Sequence, residues 1–91
     1  MTPTVRRPRD EEELADALGL RIEVFCGEQG VTFDGDRDGL DDQALHLVAV
    51  DDDEVIGTCR MLITPGGTAR FGRLCVRASA RGTGVGALLL A

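Results

Sequence analysis

The stretch with the most chemistry in it reads Arg81-Gly82-Thr83-Gly84-Val85-Gly86-Ala87-Leu88-Leu89-Leu90, three glycines at alternate positions followed by strong helix formers. Just before it, residues 71–76 mix β-branched, aromatic and thiol side chains over a strand's length, with Leu74 and Val76 on one face. The order is therefore strand, glycine turn, helix start. Such a turn leaves backbone N–H groups unpaired at the positive end of the helix dipole, where they converge on an anion. Each charge interaction there is worth about 0.3–1 kcal/mol, and a diphosphate collects several. Three phosphate-binding patterns compete for these residues. A P-loop needs a lysine, and the chain has none. The dinucleotide fingerprint G-x-G-x-x-G/A is matched by Gly82, Gly84 and Ala87, but it opens a βαβ unit and needs an acid about 20 residues on, past Ala91. The pattern [Q/R]-x-x-G-x-[G/A] is met by Arg81, Gly84 and Gly86, with an ordinary glycine-rich turn as the plain alternative.

The charges around this turn are segregated along the chain. Net charge is -6 at pH 7, yet every acid lies at or before Glu54, and beyond it the charged residues are Arg60, Arg70, Arg73, Arg77 and Arg81. A basic half around an anion-binding turn suits a phosphate-rich cofactor, and an acidic half suits a cation such as an amine. The other reading is that the halves neutralise one another. No basic stripe with interleaved aromatics is present, so no nucleic-acid partner is expected. Cys26, Cys59 and Cys75 are too irregularly spaced for a disulfide framework or a metal knuckle, which fits a reducing cytoplasm. No apolar run is long enough for a membrane span, and the basic start leads into acids rather than a secretory signal.

The elements that must position the turn follow from patterning. One domain is expected, with a thin aliphatic core, since the chain has 91 residues and no Trp or Tyr. Residues 4–9 read as an edge strand. Asp10 is an N-cap before Glu11, Glu12 and Glu13, and Leu14, Ala17, Leu18, Ile22 and Phe25 form the sheet-facing side of a helix that Gly27 stops. Residues 31–43 form an acidic loop. Its Asp34-Gly35-Asp36-Arg37-Asp38-Gly39 matches the first half of a calcium loop, but Leu45 stands where the bidentate glutamate belongs, so no metal is expected. Strands follow at residues 44–50, 54–63 and 71–76, separated by turns at Asp51-Asp52-Asp53 and Pro65-Gly66-Gly67. The parity change across Gly72 predicts a β-bulge. A helix and then antiparallel strands make an α+β layer.

The Arg81 to Gly86 pattern is the coenzyme A diphosphate motif of the GNAT superfamily of N-acetyltransferases, and the chain resembles that family in two further stretches. These are Leu20-Arg21-Ile22-Glu23-Val24-Phe25 running on to Glu28-Gln29-Gly30-Val31, and Val55-Ile56-Gly57-Thr58-Cys59-Arg60-Met61-Leu62. The resemblance implies a partial GNAT fold: a strand, two helical segments, three antiparallel strands and the cofactor-binding helix. It implies that Leu74, Cys75 and Val76 pair with pantetheine, and that Arg81, Gly82, Thr83, Gly84, Val85, Gly86 and Ala87 hold the diphosphate of acetyl-CoA. The implied reaction is acetyl transfer to a primary amine on a small molecule or peptide. An amine with a pKa near 10 must lose a proton first, and Glu28 is the candidate acceptor through water. Asp36, Asp38 and Asp41 are candidates for attracting the ammonium, and the Val76 N–H for stabilising the oxyanion. His46 is read as a packed strand residue and Cys75 as a buried thiol.

The apolar run at residues 88–91 lacks a capping glycine or a basic close, so the chain is expected to stop inside the family's third helix. The fifth strand, fourth helix, last two strands and leaving-group tyrosine of the family would then be absent, and the piece inactive or weakly active. The exposed edge beside Leu74 to Val76 could pair with a second copy, giving a homodimer. Two rival functions are an acyl-homoserine-lactone synthase, which shares the residue 21–25 and 57–60 segments but usually lacks the glycine turn, and a non-catalytic coenzyme A-binding protein.

Overall fold

The computed structural model describes residues 3–30 and 39–90. Four antiparallel strands form one sheet in chain order: β1 (Thr4–Arg6), β2 (Leu45–Asp51), β3 (Glu54–Ile63) and β4 (Ala69–Val76). Helix α1 (Glu11–Arg21) covers one face and helix α2 (Val85–Leu90) the other. Alternation along the strands divides the core accordingly. Ala17, Leu20 and Val24 pack on Val48, Val50, Val55 and Cys75, while Val85 and Leu89 pack on Ala49, Ile56 and Cys59. The result is the α+β sheet-and-helix arrangement expected, with β4 as an open edge among the described residues.

Helix α1 starts where expected. The Asp10 carboxylate accepts from the Glu13 N–H at 2.8 Å, and three acids fill the first turn. Its far end departs from expectation: Gly27 does not stop the helix, which continues as a π-helical segment, Ile22–Glu28, with Gly30 in the left-handed conformation beyond it. The buried positions are Glu13, Ala17, Leu20, Arg21 and Val24, whereas Leu14, Leu18, Ile22 and Phe25 are half-buried at its margin. Strand β1 ends at Arg6, short of Pro8, which has no N–H to donate, and the Arg9 N–H beyond it goes to the Glu13 carboxylate at 2.9 Å instead of to a neighbouring strand.

The β2–β3 hairpin turns on Asp52 and Asp53, both at positive φ, as a primed two-residue turn requires. β4 begins two residues earlier than expected, and its bulge sits at Arg73 and Leu74, which together oppose Cys59. Arg73 adopts φ +52° there. A second bulge, not foreseen, leaves Ile56 without a partner residue on β2. After it comes Gly57, where α2 lies close against the sheet. A Cβ built there would lie 3.0 Å from Val85 Cγ1 and 3.1 Å from Leu89 Cδ1, so glycine sets how near the helix can lie.

Candidate functional site

The strand–turn–helix unit lies where β4 leaves the sheet. A short 3₁₀ turn, Ala78–Ala80, anchored by the buried Ala80, precedes Arg81, and the Thr83 hydroxyl donates to the Ala80 carbonyl at 2.5 Å. Gly82 and Gly84 take φ of +83° and +86°, a backbone closed to most other residues, and Val85 then starts α2. The first described α2 bond from the turn is Leu88 N–H to the Gly84 carbonyl at 3.1 Å. Among the described residues the N–H groups of residues 82–87 meet no acceptor, and beyond Gly82 and Gly84 a Cβ would meet nothing within 4 Å. Unpaired donors over open space are what a diphosphate requires, so the residues present fit that group.

Strand register prepares the neighbouring edge. The Arg77 N–H donates to the Ile56 carbonyl at 2.8 Å, which makes that pair hydrogen-bonded and, by alternation, Val76 and Gly57 a non-hydrogen-bonded pair. The N–H and C=O of Val76 therefore point away from β3 to the open edge. Leu74 is exposed on that edge, while Cys75 turns inward against α1.

Glu28 is brought to the same place. At the end of the π-helical segment it receives a two-pronged contact from Arg81, Nη1 to Oε1 at 2.8 Å and Nη2 to Oε2 at 2.9 Å, while Arg81 Nε donates to the Val76 carbonyl at 3.0 Å. One guanidinium thus joins Glu28, Val76 and the first residue of the turn. The hydrogen bonds from Arg81 hold the Glu28 carboxyl below the usual glutamate range, and the same contact raises Arg81.

Asp41 stands elsewhere, on the α1 face. Its Oδ1 lies 2.7 Å from Arg21 Nη1 and 3.2 Å from Arg60 Nη1, with both arginines almost fully buried, and its carbonyl lies 2.9 Å from His46 Nε2. Burial pushes the Asp41 carboxyl up, but the two guanidiniums outweigh it and the net direction is down. Its charge is matched by protein. Asp36 and Asp38 lie outside the described residues, as do all residues of the half-calcium motif but Gly39. Among the described residues no cluster of three His, Cys, Asp or Glu side chains is placed to hold a metal, and no helix is long and apolar enough to cross a membrane.

Sequence reasoning missed two features. Arg81 was read only as a motif residue, and its reach to Glu28, 53 residues away, has no local signature. Arg21 and Arg60 had one: each sits among apolar residues on an inward-facing position, and a buried guanidinium needs a carboxylate.

Comparison with known proteins shows which family shares this fold and turn. The family of the acetyltransferase (GNAT) domain matches residues 42–91, and the chain belongs to that family. It is 34% identical over 82 residues to the uncharacterized N-acetyltransferase YjcF of Bacillus subtilis, covering 90% of this chain and 58% of that protein. It resembles the crystal structure of a Lactobacillus plantarum protein classed as an N-acetyltransferase with TM-score 0.85 and 33% identity, covering 99% of this chain and 63% of that one. An acyl-CoA N-acyltransferase from Pseudomonas aeruginosa gives TM-score 0.79 and 33% identity, with 98% and 63% covered. The chain therefore spans about three fifths of the length of these relatives.

Proposed function

We propose that the chain is the coenzyme-binding part of an N-acetyltransferase that moves an acetyl group from acetyl-CoA to a primary amine. The observation that carries this reading is the row of unpaired N–H groups at residues 82–87, held open by Gly82 and Gly84 beside the outward-facing backbone of Val76. In this reading the amides of residues 82–87 grip the diphosphate, and the edge at Leu74, Cys75 and Val76 adds the pantetheine arm as a further strand. Acetyl-CoA supplies the acyl group as a thioester, so a C–N bond forms as the C–S bond breaks. Glu28 accepts the ammonium proton through water, leaving the amine lone pair for attack, and the Val76 N–H faces the oxygen on which negative charge grows. Asp41, already matched by Arg21 and Arg60, supports the loop rather than the amine. Asp36 and Asp38 remain the candidates for drawing in the cation, with the cytoplasm as the site of action.

Gly84→Asp tests the turn, because it places bulk and charge at a left-handed position where backbone must meet phosphate. Calorimetry should show coenzyme A affinity lost by at least about tenfold, a change of 1.4 kcal/mol. Unchanged affinity in a folded Gly84→Asp protein contradicts the reading. Release of free thiol from acetyl-CoA with a panel of amines separates the transferase from a protein that only binds coenzyme. Product analysis with an acyl-carrier-protein thioester and S-adenosylmethionine separates it from a homoserine-lactone synthase.

A further inference from the structure

We infer that Arg81 keeps Glu28 from acting as a proton acceptor until a coenzyme diphosphate takes over the guanidinium, so that acyl-donor binding releases the carboxylate. The inference rests on the coenzyme A reading of the turn, and adds an order of events to it.

The geometry is that of a contact made to be exchanged. All three guanidinium nitrogens of Arg81 are engaged: Nε on the Val76 carbonyl at 3.0 Å, Nη1 and Nη2 on the two Glu28 oxygens at 2.8 and 2.9 Å. Both carboxylate oxygens therefore face a permanent cation, which leaves poor access for a proton carried by water. The pair is also solvent-accessible, with the Arg81 and Glu28 side chains 43% and 40% exposed, unlike the buried Arg21–Asp41 pair that the fold rests on. An exposed pair of this kind is weak enough to be given up.

Arg81 also starts the turn whose amides face open space, so its side chain is rooted beside any diphosphate bound there. A diphosphate, though tetrahedral at each phosphorus, also presents paired oxygens to the guanidinium fork and carries more charge than a carboxylate, so it competes for the fork on better than equal terms. Moving the guanidinium clears two things together: the Glu28 oxygens and the outward-facing carbonyl of Val76, which lies on the edge assigned to the pantetheine arm. The charged and titratable groups facing Arg81 are Glu28, Glu23 and Cys75, and Glu23 lies 4.0 Å from Arg77 rather than on Arg81.

The test has a binding arm and a spectroscopic arm. Glu28→Gln removes the competitor for Arg81, so coenzyme A should bind about three- to fivefold tighter in calorimetry, matching the modest strength of an exposed ion pair. Glu23→Gln removes an equal charge nearby without touching the fork and should change affinity less. In the unaltered protein, the ¹³C carboxyl resonance of Glu28 should titrate at higher pH when coenzyme A is saturating than when it is absent. Binding that is equal in the two variants, or a Glu28 titration that coenzyme A leaves unmoved, overturns the inference while the coenzyme reading stands. No heat of binding in any variant removes both.

Discussion

Replacing Gly57 by alanine probes how closely the coenzyme-turn helix is pressed onto the sheet. The added methyl would sit 3.0 Å from Val85 Cγ1, 3.1 Å from Leu89 Cδ1 and 3.3 Å from the Cys75 carbonyl oxygen. Ordinary carbon contacts lie at about 3.5–4.0 Å, so α2 must retreat by roughly half an ångström. Val85 and Leu89 are buried to 1% and 2% exposure, and Val85 is stiff at χ1, so neither side chain can swing clear. Overpacking of this kind costs about 1–3 kcal/mol. Removing glycine's freedom in the unfolded chain returns about 0.4–1 kcal/mol. At the midpoints of these ranges the net loss is about 1.3 kcal/mol, equivalent to a melting temperature lower by roughly 5–10 °C for a domain of this size. Circular dichroism melts of Gly57→Ala, Val85→Ala and the double variant measure it. The double variant should lose at least about 0.5 kcal/mol less than the sum of the singles, because trimming Val85 makes room for the new methyl. A Gly57→Ala protein that melts no lower than the parent, with additive singles, would refute the reasoning.

Two further predictions concern the charges that hold the frame. Asp41→Asn removes the carboxylate charge that meets buried Arg21 and Arg60 and should cost about 1.5–3 kcal/mol in urea unfolding, the worth of a hydrogen bond to a charged group. Glu13, nearly buried under Arg6 and the Arg9 N–H, is held down at about 2 from 4.5, the hydrogen bonds from Arg6 being the largest cause. A lowered folded pKa means its stabilisation is complete above about pH 4.5 and disappears as pH falls towards 2. Since Arg6 is a third exposed, screening limits the effect to about 1–2 kcal/mol. Glu13→Gln should lower stability at pH 7 by that amount and flatten the acid limb of the stability curve, and an unchanged acid limb would count against this origin.

Much of the frame was legible because local chemistry dictated it. Strand β3 has the ends its flanking turns imply, since Asp51-Asp52-Asp53 and Pro65-Gly66-Gly67 each favour a reversal. Asp10 caps as its side chain and the following acids require. The buried helix face came out one position off and Leu20 and Val24 were missed, because Glu13, paired with Arg6, and Arg21, paired with Asp41, fill inward positions that apolar periodicity alone assigns outward. The segregated charges had two readings, and the fold supports mutual neutralisation for three of the arginines. Arg60 meets Asp41, Arg77 meets Glu54 and Glu23, and Arg81 meets Glu28. Those pairings join residues far apart in the chain, which no window of sequence contains. The turn itself was readable because three alternating glycines before a leucine run admit few backbones, and the structure places two of them at positive φ.

The most direct measurement follows the amide resonances of residues 82–87 in the ¹⁵N-labelled chain during titration with acetyl-CoA. Gripping of the diphosphate by these N–H groups predicts large, saturable shifts there and at Val76, abolished by Gly84→Asp. Resonances that stay in place while acetyl-CoA is bound, or no binding at all, would contradict it.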